Sequence, residues 1–461
     1  MEINKSLLFS LCGVLFILFV SNCNKNEDKI QISDIDLEEI RESYSEYSYQ
    51  ESHKSEYIYD QKKLHRFDIW LTKENLEKID SDPAAEQYVE GSLVFEDEII
   101  KKIGIRYKGS IGAWVGCLEG DDWTNPSGAK KCPKLSLKLK INWKGSDNKF
   151  YGLKKLMFHS QNLDPSKMHE RLGYWMYRKF NVPAPRSTHA VIYINGEFSG
   201  LYANTEQIDE SFCYDNFLNG DGNLYKEVWP IKNNGDANDE SDLINALKTN
   251  EEIEDVSKMR KFGIEIQNST NSNINTIVSN WMDIKQFLRT IVVDRRIAND
   301  DGFLHWYCDD SGNKCDSHNY YWYEDPIIDQ VQLIPWDLDN AFENLVSNQN
   351  PVTPIKDKWN ETSSNCEAFR YGTWQIYQKS ASCDKIIGSY AIYKNQYDSL
   401  DNVFKNDFYN INQINLLLNT WSIQIENAVA LANEKFIKEE ISVSEWKSAI
   451  NKLKSDIEKS L

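Results

Sequence analysis

The chain has 461 residues, 41% of them hydrophobic and 27% charged, enough for a large core in two or three domains or one two-lobed unit. Its 52 Lys plus Arg against 71 Asp plus Glu give a net charge of −19. That argues against wrapping nucleic acid or coating anionic lipid by charge alone, and leaves any phosphate-bearing ligand to a metal cation or a local basic pocket.

Residues 1–22 read as a signal peptide. Lys5 precedes an apolar run from Leu7 to Val20, the length of a signal-peptide core and short for a membrane span. Ser21, Asn22 and Cys23 follow, and a polar stretch comes next. This pattern resembles a bacterial lipoprotein signal, with Cys23 as the lipidated first residue of the mature chain; ordinary secretion and an uncleaved anchor are the alternatives. From Cys23 to about Asp60, Ser, Glu and Tyr occur without an apolar period, the composition of a flexible acidic tether.

From Phe67 the pattern becomes that of an α+β protein, strand-rich over 61–210 and helical over 211–461. FDIWL alternates as a strand, and Thr72 can cap a helix running to about Ile79. VEGSLVFE and EIIKKIGIRYKGS read as a hairpin-like pair, followed by a loop with Gly109, Gly112 and Gly116. Residues 135–142 alternate strictly, and GLKKLMFHS is a further strand. Asp164, before Pro165, can cap a helix over DPSKMHERLGYWMYRKF. AVIYING and FSGLYANTE meet at Asn195-Gly196, a strong hairpin signal. Helices are expected around 240–249, 251–260, 276–282 and 283–299, a strand pair in NYYWYED and QVQLIPWDLD, and helices again over 385–461.

Several residues could carry chemistry. In IPWDLDNAF, an extended segment would turn Asp337 and Asp339 the same way. Two ionised carboxylates on one face repel unless a cation lies between them, so a Mg²⁺ or Mn²⁺ site competes with an Asp-rich turn or cap. Asn299, Asp300, Asp301 and Gly302 form a loop after a helix, where a carboxylate can serve as general base or metal ligand or simply make a turn. Asn319 heads a strand and can join a metal shell or face the core. Lys134, Ser136, Lys138 and Lys140 share one strand face, which can meet phosphate or solvent. Glu170 can pair with a strand lysine or lie on the surface. No phosphate loop of the GxxxxGK[ST] kind, GxGxxG, GxSxG or HExxH occurs. Of the cysteines beyond Cys23, proximity suggests the pairs Cys117–Cys132, Cys308–Cys315 and Cys366–Cys383, with Cys213 free; a zinc site lacks CxxC spacing.

The order of FDIWLTKENLEKI, IGIRYKGS, KLSLKLKIN, YGLKKLMFHSQNLDPSKMHERLGYWMYRKFNVPAP, YINGEFSGLYANTEQIDESF, NDDG, HNYYWY and LIPWDLDNAF resembles the CotH-like (spore coat protein H) atypical kinase family across most of residues 65–345. The resemblance implies a diverged protein-kinase fold in which 61–210 is the N-lobe and 211–461 the C-lobe. It implies an ATP-dependent kinase acting on Ser or Thr of extracytoplasmic proteins, or a catalytically inactive surface binding or adhesion module. By resemblance, Asp301, or less readily Asp300, accepts the hydroxyl proton. Asn319, Asp337 and Asp339 bind Mg²⁺ or Mn²⁺. Lys138, with Lys154 as alternative, holds the α/β-phosphates and pairs with Glu170. Glu206 lies near the hinge and the adenine, and Ser110 lies in the loop over the phosphates. The membrane would be a partner through the lipid anchor, and nucleic acid would not be one. The RYKGSIG loop departs from the family's usual Asn-Ser-Ser run and leads into an insertion bearing Cys117 and Cys132. Asn319 follows Asp301 by 18 positions, against about five in ordinary kinases, with Cys308 and Cys315 between them in an expected disulfide-closed hairpin.

Overall fold

The computed structural model describes residues 45–46, 54–96, 98–109, 111–114, 116–120, 122, 125–346, 366–371 and 375–461. The expected signal peptide, Cys23 and Ser110 lie outside the described residues. Eight strands form the first sheet: β1 (Ser45–Glu46), β2 (His65–Leu71), β3 (Val89–Phe95), β4 (Glu98–Tyr107), β5 (Leu137–Lys140), β6 (Lys155–His159), β7 (Ser187–Ile194) and β8 (Glu197–Thr205). Their order is β1-β4-β3-β2-β7-β8-β6-β5, and β5 also bonds β4, so seven of them close on themselves. Strict alternation explains the closure. Phe67, Ile69, Leu93, Ile103, Ile105, Leu137, Leu139, Leu156 and Phe158 turn inward and fill the curled sheet, while the residues between them face out. Thr72 accepts from the Asn75 N–H at 3.1 Å as the expected cap. Asn195 and Gly196 both take positive φ, 51° and 79°, as a two-residue hairpin between β7 and β8 requires.

Three local expectations change, one of them in the helical half, where the helix expected around 251–260 runs instead over Ser257–Gln267. The tether does not extend to Asp60: Ser55–Ile58 is a short helix, and Ile58 and Tyr59 are buried in the sheet's core. The helix expected from Asp164 begins at His169 and ends at Lys179. Asp164 instead closes a turn, accepting from the N–H groups of Ser166 and His169, while Lys167 at φ 61° breaks helical geometry. The apolar face of that helix (Leu172, Met176, Tyr177) joins the core of the helical half.

In the second half, β9 (Asn223–Lys226), β10 (Trp306–Cys308), β11 (Cys315–Asp316), β12 (Tyr320–Glu324), β13 (Val331–Pro335), β14 (Phe369–Tyr371) and β15 (Ile376–Lys379) build two small sheets, ordered β13-β12-β9 and β11-β10-β15-β14. The helices Glu240–Ala246, Ser257–Gln267, Ile274–Trp281, Ile284–Arg296 and Lys394–Asp407 pack around one apolar cluster. The last two helices, Ile411–Lys435 and Val443–Ser460, join that cluster and also run behind the first sheet. There Lys134 is paired with Glu440 at 3.0 Å, and the Trp446 indole donates to the Ser166 carbonyl at 2.9 Å. The Arg171 guanidinium, wholly buried, lies over Trp421 and donates to Gln424 and Gln61. All three expected disulfides form, and Cys213 is free and buried.

Candidate active site

A cavity of about 450 Å³ lies between the first sheet and the helical half. Its floor starts from the helix Ile284–Arg296, which Asp283 caps at the Gln286 N–H. In the last turn, Asp294 is buried and accepts from the Tyr177 hydroxyl and the Asn299 amide, each at 3.0 Å. Burial pushes the Asp294 carboxyl up to about 7. The two bonds hold the loop that follows, in which Gly302 has no room for a Cβ beside Asn299 and Asp294.

That loop separates its two acids. Asp301 lines the cavity. His318 Nε2 lies 2.6 Å from its Oδ1, the Asn319 amide donates to its Oδ2 at 2.8 Å, and Asn340 approaches at 3.5 Å. Burial opposes a charge on His318, but the adjacent Asp301 carboxylate outweighs it and holds the imidazole above its ordinary value. Asp300 faces the other way. Its carboxylate accepts from Asn344 and, at 3.0 Å, from the Tyr371 hydroxyl, and its carbonyl accepts from Tyr307 at 2.7 Å. Asp300 therefore fastens the loop to the small β10–β11–β14–β15 sheet and does not reach the cavity.

Asp337 and Asp339 reach the cavity by a turn rather than by strand alternation. Asp337 lies just beyond β13 at φ 51°, and its N–H donates to the Tyr174 hydroxyl at 3.0 Å. Leu338, fully buried between them, points into the core against Gly173. Both carboxyls sit above their ordinary range. Burial raises Asp337, which Lys108 partly offsets and Glu170 and Asp301 reinforce. Burial raises Asp339 further, together with Asp337, Glu170, Asp301 and Glu343. Asp301, Asn319, Asp337, Asp339 and Asn340 thus bring hard oxygen donors to one cavity, and the repulsion among the three carboxyls is one that a divalent cation would relieve. The residues fit Mg²⁺ or Mn²⁺.

The first sheet brings Arg106, Lys108, Lys138 and Lys155 to the cavity, with Arg106 paired to Glu86, Lys155 to Asp209 at 3.6 Å, and Lys108 close to Asp337. Lys138 has no hydrogen-bond or ion-pair partner among the described residues; burial, then Lys155, Arg106 and Lys108, lower it to about 7. The expected Lys138–Glu170 pair does not form. Glu170, 1% exposed, bonds His159 Nδ1 at 2.7 Å, and His159 Nε2 lies 3.0 Å from Lys108 Nζ. The alternative, Lys154, pairs with Glu210 away from the cavity. Glu206 does not line it either, because Arg186 takes its carboxylate; the neighbouring Gln207, Ile208 and Asp209 form that wall. On the shared lysine face, Lys134 turns to Glu440.

Sequence reasoning missed Lys108, His159, His318 and Asn340. Alternation along β6 would have found His159, which shares its strand face with the cavity-lining Lys155 and Met157. His318 and Asn340 stand next to residues already singled out.

A family model described as CotH kinase protein matches residues 105–460. The chain is 24% identical over 201 residues to the inner spore coat protein H of Bacillus subtilis (strain 168), covering 41% of this chain and 50% of that protein. The chain thus spans about half the length of the curated relative it matches.

Proposed function

Since the chain belongs to the CotH kinase family, we propose that it is an exported atypical kinase that transfers the γ-phosphate of ATP to Ser or Thr hydroxyls of extracytoplasmic proteins. One observation carries the reading. Asp301, Asn319, Asp337 and Asp339 line one cavity together with Arg106, Lys108 and Lys138 from the first sheet. Carboxylates and cations around one cavity suit a metal-bound polyphosphate, since phosphoryl transfer asks the protein for positioning and charge.

Asp301 is the proton acceptor. His318 and the Asn319 amide fix its carboxylate, and because Asn319 spends its N–H groups on Asp301, its own carbonyl oxygen is left for a cation. Asp337 and Asp339 supply the remaining carboxylate oxygens. Bound Mg²⁺ or Mn²⁺ would neutralise the phosphate oxygens. Lys138 and Lys108 meet the phosphates from the sheet side. The hydroxyl proton passes to Asp301, the hydroxyl oxygen bonds the γ-phosphorus, and ADP leaves. Three disulfides and a spore-coat relative fit an extracellular or surface location, and a lipid anchor at Cys23 completes the proposal.

The test is transfer of label from γ-labelled ATP with Mg²⁺ or Mn²⁺, beside Asp301→Ala and Asp337→Ala. Label in the parent that disappears in both folded variants supports the assignment. No label, with no rise in Tm from ATP and Mn²⁺, would sink it and favour an inactive surface binding or adhesion module.

A further inference from the structure

We infer that His159 is a positioning residue that links Glu170 to Lys108, making Lys108 the cation that orients the transferred phosphates beside Asp337. The inference rests on the kinase reading and deepens it.

The hydrogen-bond chemistry admits one arrangement. Glu170 as a carboxylate only accepts, so His159 Nδ1 carries the proton across the 2.7 Å contact. His159 Nε2 is then a lone pair, and the Lys108 ammonium, which only donates, bonds it at 3.0 Å. Both contacts are matched by a neutral imidazole, whereas an imidazolium would set two donors against each other; the second Glu170 oxygen, Oε2, is buried without a partner among the described residues. The chain Glu170–His159–Lys108 therefore has a fixed direction and ends in a cation.

The surroundings hold it there. Glu170 and His159 are buried, at 1% and 6% exposure. The Trp336 ring meets the His159 ring edge to face at 5.7 Å, and Lys108 Nζ lies 5.8 Å from the same ring. Trp336 directly precedes Asp337, so one indole locks the imidazole, the ammonium and the acid turn into register. Donor atoms of His159, Glu170 and Asp337 lie within 4.8 Å of one another, a cluster suited to one cation, and Lys108 already bonds its histidine. A direct lysine–glutamate pair would have drawn its cation from β5. Here the imidazole lengthens the reach of Glu170, and the cation comes from the residue just after β4. That leaves Lys138, which has no partner among the described residues, as a second phosphate contact in the same cavity.

The full chain is compared with His159→Phe, Lys108→Met and the double variant. Affinities for ATP with Mn²⁺ and for adenosine are measured, along with phosphate transfer. Losing one charge-assisted contact to phosphate should weaken ATP by about 10- to 100-fold. Adenosine affinity should stay unchanged, which a general distortion would not allow. The double variant should be no weaker than Lys108→Met alone, because His159 acts through Lys108. His159→Gln serves the same comparison if the phenylalanine variant fails to fold. Equal losses for ATP and adenosine, or additive losses in the double variant, would overturn the inference. If transfer in the parent depends on Asp301 while His159→Phe keeps full ATP affinity, the linkage fails and the kinase reading stands. If the parent binds no ATP at all, both fail.

Discussion

The seat of Asp337 and Asp339 can be probed through the contact between Gly173 and Leu338. A Cβ added at Gly173 would lie 2.9 Å from Leu338 Cδ1 and 3.6 Å from Ile297 Cδ1. Gly173→Ala gains about 1 kcal/mol of helix propensity but overpacks a closed core at about 1–3 kcal/mol, so a net loss of up to about 2 kcal/mol is expected. Leu338 is 0% exposed, so Leu338→Ala should cost about 3–5 kcal/mol from lost burial and the cavity left behind. Together the changes complement each other, because the new methyl occupies space vacated by the leucine. The double variant should be more stable than the sum of the singles by about 1–2 kcal/mol. Urea midpoints at constant m-value give these differences. The rise in Tm with ATP and Mn²⁺ should shrink in Leu338→Ala and partly return in the double variant, since Leu338 anchors both carboxylates. Additivity within about 0.5 kcal/mol would refute the packing argument.

Asp294 sits at about 7 in the fold against an ordinary 3.8. A raised carboxyl costs stability as pH climbs from about 4 to 7, so Asp294→Asn should gain on the parent across that window and level off above it. At 1.36 kcal/mol per unit, the difference approaches about 4 kcal/mol; parallel stability–pH curves would contradict it. Replacing Cys117 and Cys132 by Ala opens a loop with a sequence separation of 15, and urea unfolding should show a loss of about 3 kcal/mol, with a weaker ATP response because Cys117 lines the cavity. Arg171→Met strips donors from Gln61, His189 and Gln424 in a buried site, and should cost more than about 3 kcal/mol and speed proteolysis of the final helices; a loss under about 1 kcal/mol would show that those acceptors find other partners.

Much of the first sheet was legible because its signals are local. The alternation of 135–142, the Asn195-Gly196 turn and the Thr72 cap need no distant partner. The two-lobed α+β plan and the disulfides followed from the order of segments and the spacing of cysteines. What escaped depends on contacts remote in sequence. The β10–β11–β14–β15 sheet is assembled from strands of two to four residues, too short for any period to register. The partner of Glu170 could not be read by matching acids to lysines, because a histidine stands between them. Asp300 and Asp301 are adjacent and chemically alike; only the tyrosines and the asparagine packed around Asp300 decide which one faces the cavity. Glu206 stood at the right point in the chain, but Arg186, 20 residues earlier, claims it.

The last two helices lie against strands formed hundreds of residues earlier, and this sets a timetable for the nascent chain. Lys134 must wait for Glu440, and Arg171 for Trp421 and Gln424, before either buried cation has its surroundings complete. Until the C-terminal residues emerge, the first half carries an unfinished rear wall, with both cations lacking these partners and apolar surface open to water. Non-local closure of this kind slows folding and lengthens exposure to aggregation. Lysine and arginine at those two positions therefore act as a completeness check: a chain cut short before residue 421 would lack the groups that make burying them tolerable.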